Sequence, residues 1–135
     1  MKLCDTSVLV DIDRGGVDER VARLDDEGRH VISSVSVTEL RLGVNIQYEV
    51  DDRGDAIESL DRLLSRFWIH DVDRAVATAG ADIISTLRRK GEPLDDLHDV
   101  YIAATAKTNQ LPVLTANVDD FERIDDIDVV DWNRY

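Results

Sequence analysis

The sequence predicts an α/β fold, with a parallel central sheet of about five strands covered by helices on both faces. Two observations carry this. Apolar runs of strand length alternate with segments whose apolar residues recur at three- and four-residue spacings, and that alternation is what a parallel sheet buried on both faces requires. In addition, no internal repeat, low-complexity tract or Pro/Gly-rich linker divides the 135 residues, a length that suits one domain with a real core. One domain spanning residues 1–135 is therefore expected.

The elements run in order along the chain. Residues 1–5 read as a first short strand. Residues 8–12 open a helix, and Val17, Val21 and Leu24 continue with helical spacing after the Gly15-Gly16 break. Residues 30–34 read as a second strand running into a helix face of Val37, Leu40, Val44 and Tyr48. The polar stretch 51–55 is a turn. A helix comes next with Ile57, Leu60, Leu64 and Phe67 on its face, and 67–69 is a third strand. The clearest helix covers 73–90, with Val72, Ala75, Val76, Ala79, Ile83, Ile84 and Leu87 in register. Arg88, Arg89 and Lys90 suit its negative C-terminal end, and Gly91 stops it. Another helix spans 99–107, and 111–115 and 127–130 are the last strands. In open sheets of this kind ligands bind beyond the carboxyl ends of the strands, so chemistry is expected there.

Composition sets outer limits. Hydrophobic residues make up 43% of the chain, which argues against disorder. No apolar run approaches the ~18 residues of a membrane span, so no membrane association is expected. Asp5 interrupts the N-terminus before a signal-peptide core could form, and a cytoplasmic protein is expected. The single cysteine, Cys4, can form neither an intramolecular disulfide nor a cysteine cluster around zinc, and reads as a buried thiol. Net charge is -13 and the pI near 4.4. Such acidity normally argues against a nucleic-acid substrate, because phosphate binding relies on Lys and Arg. However, Asp far outnumbers Glu, and Lys2, Lys90 and Lys107 are the only lysines. A hydrated, Lys-poor surface suits a halophilic cytoplasm, where salt screens self-repulsion. A basic partner covering an acidic face would also fit. Charge alone does not decide function.

Acids at strand ends are more informative. Asp5 closes the first strand and is followed by Thr6 and Ser7; it suits either a helix N-cap or a metal ligand. Asn117 and Asp120 lie just past the strand at 111–115 and so reach the same sheet edge. Two strand ends delivering hard oxygen donors to one edge favour the metal reading. Glu39 sits in Ser36-Val37-Thr38-Glu39, which fits a capping box, yet it also points an acid toward that edge. Asp99 starts the Ile102-Ala103-Ala104-Thr105-Ala106 helix, where a carboxylate buried without a partner is costly. Asp95 and Asp96 in the same turn read as a solvated acidic cap. These donors suit Mg²⁺ or Mn²⁺. Zinc does not fit the scattered His30, His70 and His98, and His98 reads as a supporting or surface residue. No nucleophilic triad, Gly-rich phosphate loop or dinucleotide fingerprint is present.

Four motifs in order support a family resemblance: Asp5-Thr6-Ser7; Ser36-Val37-Thr38-Glu39-Leu40; Asp99-Val100-Tyr101-Ile102-Ala103-Ala104-Thr105-Ala106; and Leu114-Thr115-Ala116-Asn117-Val118-Asp119-Asp120-Phe121. Together they resemble a PIN domain of the VapC toxin type, over essentially the whole chain. The resemblance implies a three-layer α/β/α PIN-like fold. It implies a divalent-metal endoribonuclease that hydrolyses RNA phosphodiester bonds as the toxin of a toxin–antitoxin pair. It also implies a homodimer held in check by a cognate antitoxin, usually a small DNA-binding protein. Asp5, Glu39 and Asp99 match the three core acids; the fourth falls at Asp120 or Asn117. Thr6 and Ser7 would support the Asp5 carboxylate or the attacking water, and Arg41 is either a phosphate contact or a solvated surface residue. Two other readings are a catalytically silent PIN-like interaction module and a Mg-binding receiver-like domain. The receiver wants a lysine at a late strand end, whereas Lys107 falls inside a helix.

Overall fold

The computed structural model describes residues 1–94 and 96–135. The reading of Asp95 as part of an acidic cap lies outside the described residues. Five strands form one sheet: β1 (Leu3–Cys4), β2 (Val31–Ser33), β3 (Trp68–His70), β4 (Val113–Thr115) and β5 (Val129–Asp131). Their order is β3-β2-β1-β4-β5, with every neighbouring pair parallel. The helices are α1 (Thr6–Arg14), α2 (Asp18–Asp26), α3 (Ser34–Gln47), α4 (Gly54–Leu64), α5 (Arg74–Arg89), α6 (Leu97–Thr108) and the short α7 (Val118–Glu122). The expected parallel α/β sheet is thus present; β1, β2, β4 and β5 are one to three residues shorter than their apolar runs, and β3 is shifted by one residue.

Strand side chains alternate between faces, and the sheet accordingly separates two cores. Leu3, Val31 and Val113 join Val76, Ile83 and Leu87 of α5, Val100, Ile102 and Ala103 of α6, and Phe121. Their neighbours Cys4, Ile32 and Leu114 face the other way, onto Val8 and Leu9 of α1, Leu24 of α2, Leu63, Phe67 and Trp132. Burial of Cys4 pushes its thiol up to about 12, which makes it chemically inert. Gly80 on α5 faces Tyr101 and Val100 of α6, where the two helices pack together. Asp73 caps α5 by accepting from the Val76 amide at 2.9 Å. Gly91, at φ +71°, lies just past its end. Among the described residues no helix is long and apolar enough to cross a membrane.

Some details depart from the sequence reading. Helix α4 ends at Leu64 and buries Leu60 and Leu63. Phe67, expected on its face, lies beyond the helix and is buried next to the start of β3, because the chain must unwind there to join the sheet. Tyr48 leaves α3 in an extended conformation and is exposed. Ala75 is exposed at the first turn of α5.

The strand order decides where a site can form. From β1 the chain steps outward to β2 and β3, then returns to the opposite side of β1 with β4 and β5. The reversal lies between β1 and β4, and in such sheets a crevice opens beyond the carboxyl ends at that point.

His30 secures the far end of β1. Its Nδ1 accepts from the Lys2 backbone amide at 3.0 Å, and its Nε2 donates to the Leu24 carbonyl at 2.9 Å. Both ring nitrogens are used, which fixes the neutral Nε2–H tautomer. Burial lowers the pKa of His30 below the usual 6.5, and the nearby Lys2 adds to this. Between the lowered folded value and 6.5 the unfolded chain binds the extra proton, so stability falls as pH drops below about 6.5. Urea melts at pH 7.5 and 5.5 are expected to show this loss in the wild type. A His30→Asn variant should be less stable at pH 7.5 and lack that part of the pH slope; an unchanged slope would contradict the assignment.

Candidate active site

Asp5 stands at the carboxyl end of β1, at the N-cap position of α1, yet its side chain makes no cap hydrogen bond. Its Oδ2 instead accepts from Ser7 Oγ at 2.7 Å and from Thr115 Oγ1 at 2.9 Å. Thr115 ends β4, so this contact crosses the β1/β4 reversal. The Asn117 amide donates to Thr115 Oγ1 at 2.9 Å and the Ala116 amide to Ser7 Oγ at 3.1 Å, which aims both hydroxyl protons at Asp5. Among the described residues no hydrogen bond reaches Oδ1. Asp5 is 4% exposed. It is a buried carboxylate with one oxygen anchored and the other free to take a ligand.

Glu39 is held by a second hydroxyl relay. Helix α3 begins at Ser34 with Ser33 as its cap, accepting from the Val35 amide at 3.1 Å. Ser36 and Glu39 therefore lie inside the helix, and the capping-box alternative does not hold. Ser36 Oγ instead pairs with Thr6 Oγ1 at 2.8 Å, and Thr6 Oγ1 donates to Glu39 Oε1 at 2.9 Å. Glu39 Oε2 is left 3.7 Å from His98 Nδ1. Burial raises the Glu39 pKa, against the opposing pull of Thr6 and His98.

Helix α6 runs back along the sheet, which brings its first turn to the same edge. Asp96 caps it, accepting from the His98 amide at 2.8 Å, and Asp99 lies in that turn. Burial, and then the carboxylates of Asp5, Asp96, Asp120 and Glu39, push the pKa of Asp99 up to about 7. Asp120 is thereby placed in the acidic group. Asn117, at the N-cap of α7, is exposed and makes no side-chain cap bond.

The structure thus brings together Asp5, Glu39, Asp99 and Asp120, with Thr6 and Ser7 supporting the first two. Arg41 is exposed and bonds Asn45 at 3.2 Å. In the sequence Thr115 carries no signal for a site role, Ser36 reads only as the start of a capping box, and Asp96 reads as a solvated cap. Thr115 could have been found as a hydroxyl at a buried strand end, which needs a polar partner. Asp96 does cap α6, but it also adds to the repulsion on Asp99.

The donor set suits a hard cation. Among the described residues no group of three or more His, Cys, Asp or Glu side chains stands ready to hold a metal ion.

Similarity to known proteins agrees with this geometry. Residues 2–127 match the PIN domain family. The chain belongs to the PIN domain family. It is similar to the protein named ribonuclease VapC1 of Rickettsia felis, 30% identical over 95% of this chain and 93% of that one. It is also similar to the tRNA(fMet)-specific endonuclease VapC of Shigella flexneri, 32% identical over 80% and 79%. Among solved structures, FitAcB from Neisseria gonorrhoeae superposes with a TM-score of 0.83 at 33% identity, covering 100% of both chains. DNA-bound VapBC of Salmonella typhimurium gives 0.85 at 27% identity, covering 98% and 99%. The expected VapC-type resemblance therefore holds.

Asp99 should cost the metal-free protein stability. Its folded pKa of about 7 exceeds the usual 3.8. The folded state therefore binds the extra proton, and stability falls as pH rises from about 4 to 7. Asp99→Asn removes the repulsion. At pH 8 with chelator the variant should be more stable on the order of 1–2 kcal/mol, after discounting for partial exposure. Equal or lower stability by urea melts would show that Asp99 is not strained by its neighbours.

Proposed function

We propose that this protein is a divalent-metal-dependent endoribonuclease that hydrolyses RNA phosphodiester bonds, the toxin of a VapBC-type toxin–antitoxin pair. The observation that carries the reading is Asp5 and Asp99 converging at the β1/β4 carboxyl edge in a PIN domain chain. In this reading residues 1–135 act as one PIN-like domain. Support for the antitoxin partner comes from the similar solved structures, among them a DNA-bound VapBC complex. Support for the reaction comes from relatives named ribonuclease and endonuclease.

Asp5 and Asp99 would hold Mg²⁺ or Mn²⁺ directly, with Glu39 and Asp120 completing the site directly or through water, and Asn117 as a neutral oxygen contact. When bound, the cation acidifies a water and neutralises charge on the phosphate. The chain's own residues do the positioning. Ser7 and Thr115 lock Asp5 Oδ2, so the free Oδ1 has a fixed direction. Thr6, backed by Ser36, locks Glu39 Oε1 and turns Oε2 outward. Asp99 approaches neutral pH half protonated when nothing balances it, and so can take a cation at a small cost in proton release. The acidic edge repels RNA by itself, which makes substrate approach dependent on the cation. The protein would act as a homodimer with a cognate antitoxin, in a halophilic cytoplasm whose salt screens its charge.

Cleavage of a fluorogenic RNA in Mn²⁺ tests this. Wild-type cleavage should stop with chelator. Asp5→Asn should lower the rate by about 100-fold or more, and Thr115→Val, which frees the carboxylate without removing it, by about 10-fold. Full cleavage by Asp5→Asn, or none by the wild type with either metal, would sink the proposal in favour of an interaction module.

A further inference from the structure

The turn that follows β5 is anchored on both sides. Trp132–Arg134 form a single 3₁₀ turn, and Trp132 is fully buried. Its indole Nε1 donates to Asp11 Oδ2 at 3.1 Å. Arg20 of α2 lies 4.9 Å from the centre of its ring and donates to its carbonyl at 3.1 Å. Three residues on, Arg23 stands 4.2 Å over the ring of Tyr135, whose hydroxyl bonds Glu27 and accepts from Lys2 Nζ at 3.2 Å. Guanidinium–aromatic pairs contribute about 0.5–1 kcal/mol each at exposed sites. Helices α1 and α2 therefore set where this turn sits.

Asn133 lies between the two anchors. Its backbone amide donates to Asp131 Oδ1 at 2.9 Å, and its side-chain Nδ2 donates to the Ala116 carbonyl at 3.1 Å. Thr115 and Asp131 are paired across β4 and β5, so the chain leaves both strands at the same edge and the two segments meet there. The Ala116 carbonyl and the Asn117 amide are the two sides of one planar peptide, and neither can rotate without the other. That amide donates to Thr115 Oγ1 at 2.9 Å, and Thr115 Oγ1 donates to Asp5 Oδ2 at 2.9 Å. An unbroken path thus runs from the Asn133 carboxamide through one peptide and one hydroxyl to the Asp5 carboxylate. Hydrogen bonds in such a chain polarise one another.

We infer that Asn133 is a positioning residue for Asp5: it clamps the carbonyl side of the Ala116–Asn117 peptide, whose N–H side aims the Thr115 hydroxyl at the carboxylate. It acts on the direction of Asp5 and makes no contact with RNA.

The inference rests on the ribonuclease reading, and its test uses the full chain in two states. In the metal-free protein, with chelator, hydrogen exchange of the Asn117 amide reports the peptide directly. Asn133→Leu, which removes the donor at similar size, should speed that exchange about tenfold. The Asp5 amide, bonded to the Leu114 carbonyl at 2.9 Å, should exchange as in the wild type. Tm should stay within about 2 °C, since Asn133 is exposed. With Mn²⁺, kcat on the fluorogenic RNA should fall about fivefold, less than for Thr115→Val because Asn133 stands further from Asp5. KM should not change. Once Thr115→Val has broken the path, adding Asn133→Leu should lower kcat by less than about twofold more.

Unchanged kcat in Asn133→Leu overturns the inference alone. So does a loss that appears in KM, a loss with wild-type Asn117 exchange, or a full fivefold effect on top of Thr115→Val. A lower Tm with faster exchange throughout the sheet marks a merely structural residue and overturns it too. No RNA cleavage by the wild type overturns the ribonuclease reading, and the inference with it.

Discussion

Repulsion among carboxylates at the β1/β4 edge is the constraint on which the rest of the arrangement depends. Asp99 is pushed toward neutral pH by its burial and, beyond that, by Asp5, Asp96, Asp120 and Glu39 at once. Left to relax, such acids would turn away from one another into water. They are kept in place because each is set by a different part of the fold: Asp5 by β1, Glu39 by the second turn of α3, Asp99 by the first turn of α6, Asp120 by α7. The hydroxyls of Ser7, Thr115 and Thr6 then fix the carboxylates of Asp5 and Glu39. The fold thus stores unfavourable electrostatics at one edge, where a cation would release it.

The same logic explains why the two cores need to be firm. Ala103, Ala104 and Ala106 are buried in the core between α6 and the sheet, and α5 packs over α6, which seats the helix that carries Asp99. On the opposite face Trp132 donates through Nε1 to Asp11 at 3.1 Å and stacks with Tyr135, closing the chain's end over α1. His30 ties Lys2 to the end of α2 and thereby seats the strand that carries Asp5.

Most of the architecture was legible because it rests on local pattern. The α5 periodicity, the Gly91 stop and the five apolar runs each report on their own neighbourhood. The boundary errors fall where a tertiary demand overrides a local one, as at Phe67, which lies past the end of its helix and just before β3. The acids were legible as strand-end anomalies, but their partners were not. Thr115 meets Asp5 across 110 residues, and Ser36 meets Thr6 across 30. No local spacing encodes such a contact. Ser36-Val37-Thr38-Glu39 shows the opposite failure: a valid local signature for a helix start, which Ser33 pre-empts by beginning the helix earlier.

The central claim is that this edge is built for a hard divalent cation. Its most direct test is a crystal grown with Mn²⁺ and measured at a wavelength where manganese scatters anomalously. One or more anomalous peaks are predicted at the β1/β4 carboxyl edge, within roughly 2.0–2.3 Å of Asp5 Oδ1 and an Asp99 oxygen and completed by waters. No peak at that edge at millimolar Mn²⁺, or a peak held by other residues alone, would contradict it.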